Sequence, residues 1–223
     1  MSTSGTIAFA PTLVDIFEEA FERATGDELR HGYQVRSMRR SLNLLLLDWQ
    51  NRGYNLWMLE NASVNTVATV ATVALAADCV DVIEVMVNAG GADIPLQRYS
   101  VPDYAALPNK TTAGRPSTML VRREASPVTL TLWPVPDRVY AISYWYLRRV
   151  QDAGNGGNEP DVPIRFVPAL IAGLAYYMAQ KIPEAAMNVP TLQSQYEEAL
   201  LNAQNDDREK APLRMVPRVG RIR

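Results

Sequence analysis

Few residues of this chain could carry acid–base, nucleophilic or metal chemistry. It has one histidine, His31, and one cysteine, Cys79. A single imidazole excludes a site built from several histidines, and the position of His31 fits a polar residue near the start of a helix. Cys79 stands in the apolar run ADCVDVIEV, which favours a small buried thiol over a nucleophile. Neither residue has neighbours that would activate a cysteine–histidine pair, so we predict no metal site and no such nucleophile.

The acidic residues and the glycines also lack a catalytic pattern. The acidic groups come as FEEAFE, YEEAL and NDDRE, all at helical spacing, where a solvated helix face is the ordinary explanation. Two carboxylates could form an acid–base pair across a cleft, as in glycosidases, but the sequence does not select such a pair. NAGGAD and AGNGGNEP match neither phosphate-binding fingerprint and are typical of turns. We therefore predict that the protein is not an enzyme and has no cofactor. A glycan-directed hydrolase or lectin-like module stays open as an alternative, ranked third behind the two functions given at the end of this subsection.

The C-terminal segment 210–223 has the opposite charge to the rest of the chain. It contains no acidic residue and five basic ones: Lys210, Arg214, Arg218, Arg221 and Arg223. The whole chain has a net charge of −2, so without these five charges the first 209 residues carry −7. Two prolines, a glycine and the lack of any sustained period predict an extended arm, which could reach roughly 45 Å at about 3.3 Å per residue.

Three roles for this arm are open. Its arginines could neutralise the phosphates of a nucleic acid, the arm could insert into an acidic groove on a protein partner, or it could be a disordered tail. Apolar residues are interleaved with the basic ones: Leu213, Met215, Val216, Val219 and Ile222. A purely electrostatic tail would not need them, so they favour the protein partner.

A second basic set, Arg36, Arg39 and Arg40, stands in the second predicted helix. Arg36 and Arg40 are one turn apart, and Arg39 is adjacent around the helix. A solvated helix face is the ordinary explanation. If copies of the chain formed a ring around DNA, these arginines could instead provide a non-specific basic lining.

Four helices are predicted from apolar residues at helical spacing. The first is capped by Thr12, buries Leu13, Ile16, Phe17, Ala20, Phe21 and Ala24, and stops at Gly26. The second runs from about Tyr33 to Arg52, with Val35, Met38, Leu42, Leu45, Leu46 and Trp49 on its apolar face. The third, ALIAGLAYYMAQK, is apolar almost all round and is expected to be central, and its alanines and Gly173 allow close neighbours. The fourth begins near Pro190 and buries Leu192, Tyr196, Leu200 and Ala203.

The middle of the chain has the β-branched composition and alternation of strands. SVNTVATVATVALAAD predicts one strand, and CVDVIEVMVNAGG, IPLQRYS, STMLVRRE, VTLTLW and RVYAISYWYL complete a set of five or six. VPDYAALPNK predicts a single helical turn. Residues 130–150 predict a hairpin around a proline-rich turn, with Tyr140, Ile142, Tyr144 and Tyr146 on one face and Ala141, Ser143, Trp145 and Leu147 on the other.

These elements predict an α+β fold in which an antiparallel β-domain is inserted into a helical core. The predicted parts are a helical core in 1–60 and 151–209, the inserted β-domain in 61–150 and the extended arm in 210–223. At 223 residues and 48% hydrophobic composition the chain can bury a proper core. Its apolar runs are shorter than a membrane helix needs, and its first residues lack a secretory signal, so we expect synthesis in the cytoplasm and no membrane partner.

Four segments together resemble the head-to-tail adaptor proteins of tailed phages, also called connector, head-completion or tail tubular A proteins. They are TLTLWPVPDRVYAISYWYLRRV, DVPIRFVPALIAGLAYYMAQK, YEEAL and the terminal VPRVGRIR. The resemblance covers most of the chain, from about Leu13 to Arg223, and rests on the order and spacing of these segments.

The resemblance implies a structural virion protein at the head-to-tail interface. Such adaptors form a ring, usually of twelve copies, beneath the portal protein, extend the channel through which genomic DNA passes and offer a platform to the tail nozzle or another tail protein. Their extreme C-terminal segment docks onto the portal. Carried over to this chain, the portal-binding residues are Leu213, Arg214, Met215, Val216, Arg218, Val219, Arg221, Ile222 and Arg223. The alternative is a nucleic-acid-binding accessory or packaging factor that uses the arm with Arg36, Arg39 and Arg40.

Overall fold

The computed structural model describes residues 5, 9–53, 56–124 and 127–207. The described residues form two compact units, one made of residues up to Leu45 together with those from Asn155 onward, and the other of Leu46–Gly154. The first unit is helical and the second is mainly β-structure. The predicted α+β class is confirmed, whereas the predicted domain limits of 61 and 150 stay a prediction.

The described helices are five in number, and three short 3-10 segments, Leu56–Met58, Ile164–Phe166 and Pro183–Asn188, accompany them. The helices are α1 (Leu13–Thr25), α2 (Gly32–Arg52), α3 (Val101–Ala105), α4 (Val167–Ala179) and α5 (Val189–Asp206). The helix α3 is the single turn expected in VPDYAALPNK. The division between the two units falls within α2.

The first helix, α1, begins and ends where its sequence predicts. The Thr12 side chain accepts a hydrogen bond from the Asp15 backbone N–H, and the Asp15 carboxylate accepts one from the Thr12 backbone N–H at 2.8 Å. These reciprocal bonds satisfy amides that have no partner within the helix. The Thr12 hydroxyl also donates to the Asp15 carboxylate at 2.7 Å, and this bond, together with the one from the Thr12 N–H, holds the pKa of Asp15 below its usual value. Gly26 ends the helix in the left-handed conformation at φ 78°, which glycine adopts without strain. The six predicted apolar residues of α1 are all buried.

The helix α4 is central to the helical unit, as predicted, and it packs against both α1 and α5. Pro168 lies in its first turn, where the missing N–H costs nothing. At Gly173 a Cβ atom would lie 2.8 Å from Cε2 of Tyr196 in α5 and 2.9 Å from Cδ2 of Leu45 in α2. Because real Cβ atoms do not approach other atoms so closely, only glycine lets these two side chains meet over α4.

The apolar faces of α2 and α5 follow the predicted periods with one exception. Met38, Leu42, Leu45, Leu46 and Trp49 of α2 are buried, and so are the four predicted residues of α5. Val35, which the same period assigns to the buried face of α2, is 36% exposed. It lies in the first turn of the helix, and the period alone does not show how far along α2 the neighbouring helices extend.

The described part of the β-unit contains ten strands in two four-stranded sheets and one two-stranded ribbon. In chain order they are β1 (Leu59–Asn65), β2 (Thr72–Ala74), β3 (Cys79–Ala89), β4 (Ala92–Pro95), β5 (Gln97–Tyr99), β6 (Ala113–Gly114), β7 (Thr118–Arg122), β8 (Thr129–Trp133), β9 (Val135–Pro136) and β10 (Ala141–Arg148). The first sheet has the order β1-β10-β3-β4 and the second the order β2-β8-β7-β5. Most pairs are antiparallel, but β5 with β7 and β6 with β9 are parallel.

Both four-stranded sheets contribute to one hydrophobic core, in which the predicted tyrosine face of β10 is buried. The tyrosines bury their rings and keep their hydroxyls hydrogen-bonded. The Tyr140 hydroxyl bonds the Asp137 carboxylate at 2.7 Å, the Tyr144 hydroxyl accepts from the Ala76 backbone N–H at 3.2 Å, and the Tyr146 hydroxyl bonds Glu60 at 3.2 Å. Burial, with the charges of Asp78 and Glu60, raises the pKa of Tyr146 to about 12. These rings can therefore fill the core without leaving buried polar atoms unpaired.

The prediction of a hairpin in residues 130–150 is wrong. The strand β8 pairs with β2 and β7, whereas β10 pairs with β1 and β3, so the two strands belong to different sheets. Between them, β9 pairs with β6. Prolines at 134 and 136 have no N–H to donate, which disfavours direct antiparallel pairing across the turn. The alternation identified the faces of β10 correctly but carried no information about its partners.

The prediction of one strand in SVNTVATVATVALAAD is also wrong, because the segment holds parts of two strands in different sheets. After β1, the buried Thr66 donates its backbone N–H to the Tyr140 carbonyl at 2.9 Å, and its side-chain hydroxyl accepts from the Tyr140 N–H at 2.8 Å. Because a side chain takes the place of a backbone carbonyl in the second bond, the regular pairing with β10 ends there. Thr69 then adopts a left-handed φ of 67°, and its N–H donates to the Pro136 carbonyl at 2.8 Å. The chain changes direction there and continues as β2 in the second sheet.

The close approach at Gly173 gives a stability prediction. We expect Gly173→Ala to lower the free energy of unfolding by about 1–2 kcal/mol, because forcing a methyl group against the Tyr196 ring costs more than alanine gains in helix propensity. Urea unfolding followed by circular dichroism measures the change. Gly32→Ala is the matched control: it is also helical, no atom lies within 4 Å of the position that its methyl group would take, and its stability should stay equal or rise slightly. Equal effects of the two substitutions would contradict the packing described for α4.

The buried cysteine gives a reactivity prediction. Cys79 is a free, buried thiol, and burial together with the charges of Asp81 and Asp78 raises its pKa to about 11. At about pH 8 such a thiol is ionised roughly 100-fold less than an ordinary cysteine, so the folded protein should react with Ellman's reagent at least that much more slowly than the urea-denatured protein. Cys79→Ser gives the background signal. Similar rates for folded and denatured protein would show a reactive cysteine.

Candidate binding surfaces

The three arginines predicted as a channel lining, Arg36, Arg39 and Arg40, are all exposed on α2. The three arginines do not all line the same surface. Arg36 and Arg40 line a groove of about 660 Å³, whereas Arg39 is not among the residues that line it. The groove lies where the end of α1, the first half of α2 and the end of α4 meet.

A third cation, Lys181, lines the same groove. We call the space between Arg36, Arg40 and Lys181 the cationic groove. Sequence reasoning missed Lys181 because it follows α4, far from the arginines along the chain; the only signal was a single lysine at the end of a run that is otherwise apolar, ALIAGLAYYMAQK. Only the fold brings it beside α2.

The ammonium group of Lys181 is anchored by a buried hydroxyl. Lys181 Nζ donates to Oγ of Ser41 at 2.6 Å, and this Oγ donates to the Ser37 carbonyl at 3.1 Å. Ser41 is fully buried. Desolvation and the nearby positive charge of Arg40 lower the pKa of Lys181. The folded protein therefore stabilises the charged ammonium form less well than water does.

The single histidine and the acidic residues have ordinary surroundings. His31 is exposed immediately before α2, and its ring stacks on Tyr33 at a centroid distance of 5.5 Å. Glu19 pairs with Arg23 at 2.6 Å, and Glu197 accepts a hydrogen bond from Gln193 at 2.9 Å. These acidic residues therefore belong to solvated helix faces.

The described ranges hold neither a cluster of metal ligands nor a membrane-spanning helix. In residues 5, 9–53, 56–124 and 127–207, no three His, Cys, Asp or Glu side chains come together as metal ligands would. None of the helices in those ranges has the length and apolar character to cross a bilayer.

The outer face of the first sheet exposes large apolar side chains. Trp145 of β10 is 46% exposed, and Ile83 of the neighbouring strand β3 is 55% exposed. Trp145 pairs in register with Asn61 of β1 on one side and with Glu84 of β3 on the other. An exposed tryptophan on a sheet face is a common anchor of protein interfaces.

The arm predicted to bind the portal lies outside the described residues. All nine predicted portal-binding residues fall between 213 and 223, and the described part of the chain ends at Asp207. At that end, the Asp207 carboxylate accepts hydrogen bonds from the guanidinium of Arg165. The arm's charge and its apolar residues are therefore known from the sequence alone.

Comparison with known proteins identifies the family. No curated protein matches this chain. The family model described as SU10 adaptor protein matches residues 11–218, which covers both units and most of the arm. The resemblance to phage head-to-tail adaptors is confirmed by this match. With its α+β fold, its helical unit and its β-unit, the chain belongs to the SU10 adaptor protein family, the structural adaptors of bacteriophage virions.

Proposed function

We propose that this protein forms a homo-oligomeric ring of twelve copies beneath the portal, extends the DNA channel and provides the attachment platform for the tail nozzle or another tail protein. The observation that carries the proposal is the family match over residues 11–218. The role is structural and not catalytic. The protein is synthesised in the host cytoplasm and becomes part of the head-to-tail interface of the virion.

The C-terminal arm is the proposed portal-binding element. The arm carries five positive charges, whereas the first 209 residues carry a net charge of −7. An acidic protein surface would therefore attract the arm and repel the rest of the chain. Its apolar residues can fill pockets while its prolines limit the conformations that binding must freeze. Many arms on one ring act together, so weak docking of each arm still gives firm attachment.

The outer face of the first β-sheet is the proposed contact between ring neighbours. A closed ring needs two different surfaces on each subunit, arranged head to tail. The exposed side chains of Trp145 and Ile83 provide an apolar anchor for one of them. The tyrosine face of β10 does not take part, because it is buried in the subunit's own core.

The lining of the DNA channel by Arg36, Arg39 and Arg40 is a further part of the proposal. All three are exposed on one helix, and a passing duplex requires only a non-specific basic surface. The alternative function, a nucleic-acid-binding accessory or packaging factor, would use the same arginines with the arm.

Deletion of residues 210–223 tests the docking role. We expect the truncated chain to lose co-sedimentation with purified portal while its circular dichroism spectrum stays unchanged. Two full-length variants separate charge from packing: one replaces the arm's four arginines by glutamine, and the other replaces Leu213, Met215, Val216, Val219 and Ile222 by serine. The serine variant should lose portal binding as well. Portal association of the truncated chain at the full-length level would reject the docking role.

A salt titration tests the proposed lining. In the triple variant Arg36→Gln, Arg39→Gln, Arg40→Gln, duplex DNA should bind more weakly, and the slope of log affinity against log salt should fall by about 0.9 for each phosphate that is no longer neutralised. Arg30→Gln is the control, because this exposed arginine precedes α2 and pairs with Glu28. An unchanged slope would remove these arginines from the lining. Tight, steeply salt-dependent DNA binding by the chain without portal would favour the accessory factor.

A further inference from the structure

The cationic groove has three positive charges that form no ion pair with a carboxylate of the described residues. Within the part of the chain that the structure describes, neither Arg36, Arg40 nor Lys181 forms an ion pair. The only hydrogen bond that anchors one of them there is the one from Lys181 to Ser41. Since Arg40 and Lys181 repel each other, an anion placed between them would relieve that repulsion as well as pair with both.

The groove is also lined by apolar side chains. Among the lining residues, the ring of Tyr33 is exposed and Ile182 is half-buried. Phe21 of α1 and Met178 of α4, which are both buried, also line the groove. A surface that only contacts phosphates needs no apolar lining. A peptide segment can place an apolar side chain against this apolar lining while its carboxylates pair with the cations.

Two acidic residues, Asp27 and Glu184, also line the groove. A uniformly anionic polymer such as DNA would meet repulsion from these carboxylates. A peptide has backbone N–H groups that can donate to them, so the mixture of charges fits a peptide better than a nucleic acid.

Neither terminal segment of this chain suits the groove by charge. Residues 210–223 carry five positive charges and no negative one, so the groove repels them. Residues 1–8, MSTSGTIA, have no charged side chain. Neither of these two segments supplies the negative charge that matches the groove.

We propose that the cationic groove binds a short segment of a partner protein that carries carboxylates on either side of an apolar side chain. The carboxylates pair with Arg36, Arg40 and Lys181, and the apolar side chain lies on Ile182 and the exposed ring of Tyr33. This inference goes beyond the proposed function and does not rest on portal docking or on ring formation. It gives Arg36 and Arg40 a second kind of partner besides DNA.

Fluorescence anisotropy with a defined probe tests the inference on the full-length protein. The probe is a fluorescein-labelled peptide of alternating glutamate and leucine; the comparison peptides replace glutamate by glutamine in one case and leucine by serine in the other. We expect the glutamate–leucine peptide to bind most tightly. The variant Arg36→Gln, Arg40→Gln, Lys181→Gln should bind it roughly 30-fold more weakly, at roughly threefold for each exposed charge pair.

Two controls keep the result independent of folding. Arg30→Gln removes an exposed positive charge of the same unit outside the groove, so it should bind the peptide like the unaltered chain. The circular dichroism spectrum of the triple variant at the assay temperature should match that of the unaltered chain, because the three side chains are exposed. Loss of the bond from Lys181 to Ser41 should lower only the midpoint of thermal unfolding.

Four outcomes would overturn the inference. They are absence of peptide binding, equal binding by the triple variant, equal binding of the glutamate–serine peptide, and displacement of the probe by inorganic phosphate as readily as by unlabelled peptide. The last would assign the groove to phosphate. A fifth outcome would also overturn it: if the triple substitution abolished self-association, measured by mass photometry, and the peptide did not compete with self-association, the occupant would be a second copy of this chain.

Discussion

The helical unit depends on the close approach of Leu45 and Tyr196 at Gly173 of α4. Because glycine has no Cβ, the side chains of α2 and α5 reach the backbone of the central helix there. This approach holds α2 against the end of α4, so the ammonium group of Lys181 reaches the buried hydroxyl of Ser41. The position of Lys181 beside α2 is therefore a consequence of helix packing, and close-packed helices resist small displacements.

The core of the β-unit contains polar aromatic residues, whose hydroxyl groups need hydrogen-bond partners when their rings are buried. Three tyrosines in and beside one strand face inward, and each hydroxyl finds a partner at the edge of the core. The large rings provide the apolar area that a small sandwich needs. The opposite face of the same strand is consequently free to present Trp145 outward, so one strand serves both the subunit's stability and an exposed surface.

Charge is distributed in a way that suits a protein that connects others. The body is acidic, the C-terminal arm is basic, and the helical unit has a groove where cations gather against the general sign of the body. Opposite signs on different surfaces suppress wrong contacts and guide the right ones, even where each charge pair contributes little affinity. A structural adaptor needs such discrimination between its partners.

The sequence by itself determined the local features: the capping of α1 by Thr12, its stop at Gly26, the buried faces of α1 and α5, the central position of α4, and the two faces of β10. Each of these follows from contacts between residues close in the chain, or from a periodicity that one segment carries alone. The sequence also determined the charge of the arm and, through the order of its motifs, the family.

Only the tertiary structure decided which strands pair and which charges meet. The alternation in 130–150 did not reveal that β8 and β10 belong to different sheets, and a β-branched run did not reveal the turn at Thr69 that splits it. In the same way, no periodicity links Lys181 to Ser41, which are 140 residues apart. Strand pairing and contacts between distant side chains depend on how all segments of a unit pack together. A periodicity within one segment carries no information about that packing.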